Sequence, residues 1–143
     1  TQGVSSAASD VYKRQSNSED KKYYYFLISF ITNMRKKFSK IANDLVSHVN
    51  DSNELSFVFK SKIHVIIIFY IYGYEKITFE DLCKVTNSTV SRTTIQNILS
   101  EGVKLGHLKK FVDKEDKRKK YFSCEQLKPI LEKWHNQQQK IFN

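Results

Sequence analysis

TFEDLCKVTNSTVSRTTIQNILSEGVKLGHLKKFVDKEDKRKKYFS, residues 78–123, is the stretch whose reading decides the fold. Thr78 reads as an N-cap, with Phe79 and Glu80 next and Asp81 at the third helical position. A hydroxyl and an acid so placed serve the free N–H groups at a helix start, which predicts a helix running to Val85. Asn87-Ser-Thr89 is a turn. Ser91 caps a further helix predicted to reach Leu105, with Gly106 just past its end where a left-handed residue closes many helices. Leu108–Val112 and Lys120–Ser123 alternate apolar with polar residues around the charged loop Asp113–Lys119, the pattern of a β-hairpin.

Upstream, Asp20 to Asn50 carries apolar residues at Tyr24, Phe26, Leu27, Phe30, Ile31, Met34, Phe38, Ile41, Ala42, Leu45, Val46 and Val49, at steps of mostly three and four, a helical period, with Arg35, Lys36, Lys37 and Lys40 punctuating it. This is one long helix or two in series, broken at Asp51-Ser-Asn53. Glu54 to Phe59 reads as a short apolar connector. Ile63 to Tyr72, IHVIIIFYIY, is the most apolar run and ends at Gly73. At about ten residues it is half of what a spanning helix needs. Its β-branched residues lean toward strand, but periodicity cannot separate helix from strand in so short a run. Cys124 to Phe142 is predicted as a closing helix, with Pro129 tolerated only in its first turn, so the start falls near Leu127 or Lys128.

A short helix, a turn, a second helix and then a basic hairpin is the order of a winged helix-turn-helix. That order favours helix for Ile63 to Tyr72, as the first helix of a tri-helical core. The expected fold class is therefore mainly α (α+β), a winged helix-turn-helix with N- and C-terminal dimerisation helices. The expected organisation is a non-native, disordered leader over 1–15, one or more dimerisation helices over 16–53, the DNA-binding domain over 54–123 and a C-terminal dimerisation helix over 124–143. TQGVSSAASDVYKRQ, residues 1–15, has no apolar core of a signal peptide. It resembles a translated sequencing-adapter scar, the alternative being a native disordered arm. Removing its Asp10, Lys13 and Arg14 takes only one unit off the net charge.

Composition agrees with this architecture. The 143 residues include four Gly and one Pro, little material for the turns of a sandwich or barrel. Hydrophobic residues make up 40% and aromatic residues 13%, enough for a core. The net charge is +9, from 24 Lys and Arg against 15 Asp and Glu, which favours an anionic partner, nucleic acid first and a membrane surface second. Two cysteines, Cys83 and Cys124, make neither a disulfide framework nor a four-ligand zinc site, so reduced thiols and a cytoplasmic location are expected. The four histidines show no metal spacing, and no Ser, His and acid arrangement or Gly-rich phosphate loop is present. No enzyme, cofactor or metal is expected.

Ser91-Arg-Thr-Thr-Ile-Gln-Asn-Ile-Leu-Ser-Glu-Gly-Val-Lys-Leu-Gly106-His-Leu108 resembles the Ser-x-Ser-Thr-Val recognition helix of the MarR family of transcription regulators, which ends in Gly and an apolar pair. Asp113-Lys-Glu-Asp116-Lys-Arg118 followed by Tyr121-Phe-Ser123 resembles that family's Asp-x-x-Asp-x-Arg wing. The pairs Leu82-Cys83 and Thr93-Thr94 look closest to one branch of it. The resemblance covers about 45 residues, from Ile77 to Ser123. Two departures stand out. Gly102 occupies a position where the family usually has a bulky apolar residue, which predicts fraying or close packing. The turn Thr86 to Val90 is about two residues longer than usual.

Ile95, Ile98, Leu99 and Val103 form the expected inward stripe of the recognition helix. Ser91, Arg92, Thr93, Thr94, Gln96, Asn97 and Ser100 are the expected DNA-binding set: Arg suits guanine, and Gln or Asn suits adenine, through paired hydrogen bonds. In the wing, seven cations stand against three acids between Lys109 and Lys120. Lys110, Lys114, Lys117, Lys119 and Lys120 are expected phosphate contacts. Arg118 is expected in the minor groove, held by a bidentate pair with Asp116. Ordinary solvated polar surface is the bland alternative for both elements.

Tyr23, Tyr25, Phe30, Trp134 and Phe142 have no obvious place in a small tri-helical core. Two-fold pairing of the end helices would bury them and set two recognition helices one DNA turn apart, and the resemblance implies such a homodimer. Intrachain packing is the alternative. The expected partners are double-stranded DNA and a second copy, with an unidentified small-molecule effector held open and no membrane. The rival readings are a winged-helix protein-interaction module without DNA binding and a membrane-surface binder through the Lys-rich first helix. Cys83 and Cys124 fit plain core better than a redox sensor.

Overall fold

The computed structural model describes residues 18–49 and 53–143. The expected leader 1–15 and most of the break at 51–53 lie outside the described residues. The chain divides into two compact units, Thr1–Ala42 and Asn43–Asn143.

The first unit is built from helix α1, Ser18–Ser47, a single helix whose last residues enter the second unit. Glu19 and Asp20 sit in its first turn, where acids complement the helix dipole. No residue of α1 is buried. Tyr23, Phe26 and Phe30, spaced by three and four, are all more than half exposed, as are Tyr25 and Phe38.

The second unit continues with α2 (Glu54–Val58), α3 (Lys62–Tyr74), β1 (Lys76–Thr78), α4 (Phe79–Val85), α5 (Arg92–Lys104), β2 (Lys109–Val112), β3 (Lys120–Ser123) and α6 (Lys128–Phe142). It is a winged helix-turn-helix: α3, α4 and α5 form the helical core, and β2 and β3 form the hairpin. The three strands pair antiparallel in the order β1-β3-β2, with Ile77 opposite Phe122 and Phe111 opposite Tyr121.

The isoleucine-rich run is a helix, as its neighbours required. Ser61 caps α3 by accepting the His64 N–H, and Ile67, Ile68 and Ile71 are fully buried along one face. Tertiary burial outweighs the β propensity of the branched side chains. The helix does not end at Gly73. It runs on to Tyr74, and Glu75 takes the left-handed position at φ 64°. Leu82 of α4, Ile95, Ile98 and Leu99 of α5, Ile77 and Phe122 of the sheet, and Leu127 and Leu131 at the start of α6 complete the core.

Two elements were invisible in the sequence. The expected connector is the helix α2, started by Asn53, whose Oδ1 accepts from the Ser56 N–H and hydroxyl at 2.9 and 3.0 Å. Strand β1 is only three residues long and joins the hairpin as a third strand. The closing helix starts at Lys128 with Pro129 in its first turn, where no intrahelical donor is lost. Trp134 is held within the chain. Its indole N–H donates to Asp44 at 3.0 Å, and its ring lies 5.0 Å from that of Phe59 and 6.2 Å from that of Phe69. Intrachain packing therefore accounts for Trp134.

Candidate nucleic-acid interface

The turn ahead of α5 is held by its own side chains. Thr86 donates its hydroxyl to the carbonyls of Leu82 and Cys83, Thr89 donates to the Thr86 carbonyl, and Asn87 and Ser88 adopt positive φ. Ser91 then caps α5, accepting the Thr94 N–H at 3.1 Å, while the Thr94 hydroxyl lies 2.7 Å from that of Ser91. Ser91 and Thr94 thus build the helix start, and Thr94 is half-buried.

Arg92, Thr93, Gln96, Asn97 and Ser100 lie together on the exposed side of α5. Gln96 Nε2 donates to the Ser100 hydroxyl at 3.2 Å. The inward stripe differs from expectation at one position. Val103 is 36% exposed, and Gly102 takes the inward place against Leu108 and Phe57. Of fraying and close packing, the departure at Gly102 is close packing.

Arg92 is already engaged. Its two terminal nitrogens donate to Glu80 of α4 at 2.6 and 3.2 Å, and its guanidinium lies 4.9 Å above the Phe79 ring. The Arg92 bond holds the Glu80 carboxyl below its ordinary pKa. Sequence reasoning used Glu80 only as a helix-start acid and missed this partner. The sequence shows an acid early in α4 and a cation at the start of α5, but not the setting of the two helices that brings them together.

Gly106, at φ 82°, turns the chain out of α5. The N–H groups of His107 and Leu108 return to the Gly102 carbonyl at 2.8 and 3.0 Å, so only Leu105–Leu108 separate the helix end from β2. In the loop beyond, Asp113 accepts from the Glu115 N–H at 3.0 Å. Asp116 Oδ1 accepts from the Arg118 N–H at 3.1 Å and from Arg118 Nε at 3.4 Å. This is a single-oxygen contact rather than the expected bidentate fork. It leaves both terminal nitrogens of Arg118 outward on a side chain that is 93% exposed. Lys114, Lys117, Lys119 and Lys120 are exposed, and the Lys110 ammonium lies 5.8 Å from the Phe122 ring centre. Lys76, on the strand the sequence did not reveal, adds a further cation beside Phe111 and Tyr121, at 6.0 and 5.1 Å.

Behind the exposed face, Glu101 ties α5 to the start of α3. It accepts from Lys60 at 2.7 Å and approaches His64 Nε2 at 3.8 Å. His64 is buried, with Nδ1 2.7 Å from the Ser61 hydroxyl. Burial lowers the His64 pKa from its ordinary 6.5, Glu101 opposes that shift, and Lys60 reinforces it. The native state then takes up this proton less readily than the unfolded chain. The stability linked to His64 is complete above pH 6.5 and declines as pH falls from there toward the lowered native value. Urea midpoints measured from pH 8 to pH 5 are expected to fall below about 6.5 in the wild type and to flatten there in His64→Gln. An unchanged slope in that variant would assign the decline to other groups.

Cys124 is buried and its thiol is pushed up to about 11 by burial, so it is a poor nucleophile at neutral pH. Cys83 is half-buried against the core. A cavity of about 540 Å³ opens between α3 and α6, lined by Phe69, Tyr72, Leu131, Glu132, Trp134 and His135. Among the described residues no helix is long and apolar enough to cross a membrane.

No protein-family model matches the chain, and no curated protein does. Among solved structures, the crystal structure of the adhesin competence repressor (AdcR) from Streptococcus pyogenes is similar, at 21% identity, covering 77% of this chain and 78% of that one, with a TM-score of 0.42.

Proposed function

We propose that this chain is a sequence-specific transcription regulator of the MarR type that binds palindromic double-stranded DNA as a homodimer. The observation that carries the reading is the direct passage from the exposed polar face of α5 through Gly106 into a hairpin dense in lysine. An exposed helix face of Thr, Gln, Asn and Arg can read base edges in the major groove. The adjoining cations can hold the flanking phosphates without regard to sequence. The side chains that read and position are Ser91, Arg92, Thr93, Thr94, Gln96, Asn97 and Ser100 on the helix, and Lys110, Lys114, Asp116, Lys117, Arg118, Lys119 and Lys120 in the wing.

The exposed aromatic residues of α1 support pairing of two copies through residues 16–53 and 124–143, since large apolar surface of this kind marks an interaction face. The protein acts without catalysis, in the cytoplasm, and the cavity beside Trp134 has the size and lining to admit a small organic effector.

Selection of bound sites from random duplexes tests the reading. The expected outcome is an inverted repeat with half-sites one helical turn apart. In parallel, sedimentation at micromolar concentration is expected to give a species of twice the chain mass. Recovery of no preferred duplex, or a purely monomeric species, would count against sequence reading and against pairing respectively.

A further inference from the structure

The Glu80–Arg92 pair sits at an unusual place. Arg92 is the first residue of α5, at the positive end of the helix dipole, where a cation is unfavourable for the helix itself. The pair does little for stability, because both side chains are about 60% exposed and ion pairs in that setting contribute little. Helix α4 gains little from Glu80 as a helix-start acid either, since Asp81 already occupies its first turn and donates its N–H to the Thr78 hydroxyl. The geometry is nevertheless well defined. Both terminal nitrogens face one carboxylate, and the guanidinium carbon lies 4.9 Å over the centre of the Phe79 ring. A planar cation so held presents a phosphate oxygen with a partner that is already saturated.

We propose that Glu80 is a specificity-determining residue of the DNA-binding face. Its carboxylate occupies Arg92 in the free protein and keeps it from ordinary phosphates. Arg92 is released only where the register of the bound site brings a two-point acceptor of fixed position, such as the O6 and N7 atoms of guanine, onto its terminal nitrogens. Generic duplex then gains nothing from Arg92, and the ratio of specific to non-specific binding rises. This rests on the DNA-binding reading above and adds to it a residue on α4 that touches no base.

The test compares wild type, Glu80→Gln and the double variant Glu80→Gln/Arg92→Gln on two duplexes, the selected site and a scrambled one, over a salt series. Circular dichroism checks that all three keep the helical fold. Glu80→Gln frees one cation for phosphate, so its slope of log K against log salt on scrambled duplex is expected to steepen by about one. Its preference for the selected site is expected to fall several-fold. The double variant is expected to return to the wild-type slope on scrambled duplex, because the freed cation is gone. A brace that only positions the helices would weaken both duplexes alike in Glu80→Gln and leave the slope unchanged, and that result overturns the proposal. Wild-type protein that binds neither duplex at low salt overturns the DNA-binding reading itself and this proposal with it. Wild-type binding with an unaltered Glu80→Gln slope overturns this proposal alone.

Discussion

Gly102→Val is expected to destabilise the second unit by an amount at the upper end of the roughly 1–3 kcal/mol typical of overpacked cores. A Cβ at position 102 would stand 2.6 Å from Leu108 Cδ1, 2.7 Å from Leu108 Cγ and 3.1 Å from Phe57 Cζ. Leu108 has nowhere to retreat. It is 4% exposed, and its own N–H is bonded to the Gly102 carbonyl at 3.0 Å. Phe57 is confined as well, stacked at 4.9 Å on His107 and set edge-on at 5.4 Å to His64. Gly102→Ala carries a smaller clash and recovers about 1 kcal/mol of helix propensity, so its loss is expected to be smaller. Urea unfolding of both variants measures the difference. Leu108→Ala is expected to harm the Gly102→Ala protein less than the wild type, because the two changes relieve each other. A Gly102→Val protein as stable as the wild type would mean that α5 and β2 do not approach this closely. The same close approach fixes the start of the hairpin to the end of α5.

The close approach at Gly102 also shows where sequence reading stops. The starts of α4 and α5 were legible because their caps are local: Thr78 and Ser91 each accept the N–H three residues on, at spacings the sequence displays. The end of α5 was legible in Gly106, and the hairpin in its alternation. Where long-range packing decides, the signals failed. Val103 has the chemistry of a core residue and the spacing of one, yet the inward place went to a glycine because Leu108 arrives from a different element. Strand β1 owes its existence to β3, 45 residues further along, and three residues carry no period of their own. Trp134 looked surplus because its partners, Asp44 and Phe59, lie far upstream. In the candidate interface, the exposed set on α5 could be read from its period. The Arg92–Glu80 pair could not, because it joins two helices whose relative setting only the packed core defines.

Binding to duplex DNA is expected to weaken by roughly three to five powers of ten between 50 and 200 mM salt, the consequence of releasing counterions at about six to ten phosphates across two half-sites. The corresponding slope of log K against log salt lies near −5 to −9. Lys114, Lys117 and Lys119 of the loop and Lys120 at the start of β3 supply the charge from exposed positions. Lys117→Ala is expected to lower the slope by about one and to weaken all duplexes equally, since a phosphate contact carries no sequence information. Arg118 differs, because Asp116 fixes its Nε side while the terminal nitrogens remain outward, as insertion into a groove requires. Arg118→Ala is expected to cost most on A·T-rich flanks, where a narrow minor groove concentrates negative potential. Gln96→Ala and Asn97→Ala are expected to leave the slope alone and to change base preference within the half-site, by about 1–3 kcal/mol for each bidentate hydrogen-bonded pair removed. Titrations of these four variants over a panel of sites separate the roles. Equal, sequence-blind losses for Lys117→Ala and Arg118→Ala would remove the minor-groove assignment. Unchanged preference in both helix variants would place the reading surface elsewhere than on the exposed side of α5. A slope near zero would mean that the lysine-rich hairpin, whatever its exposure, is not where the protein meets its partner.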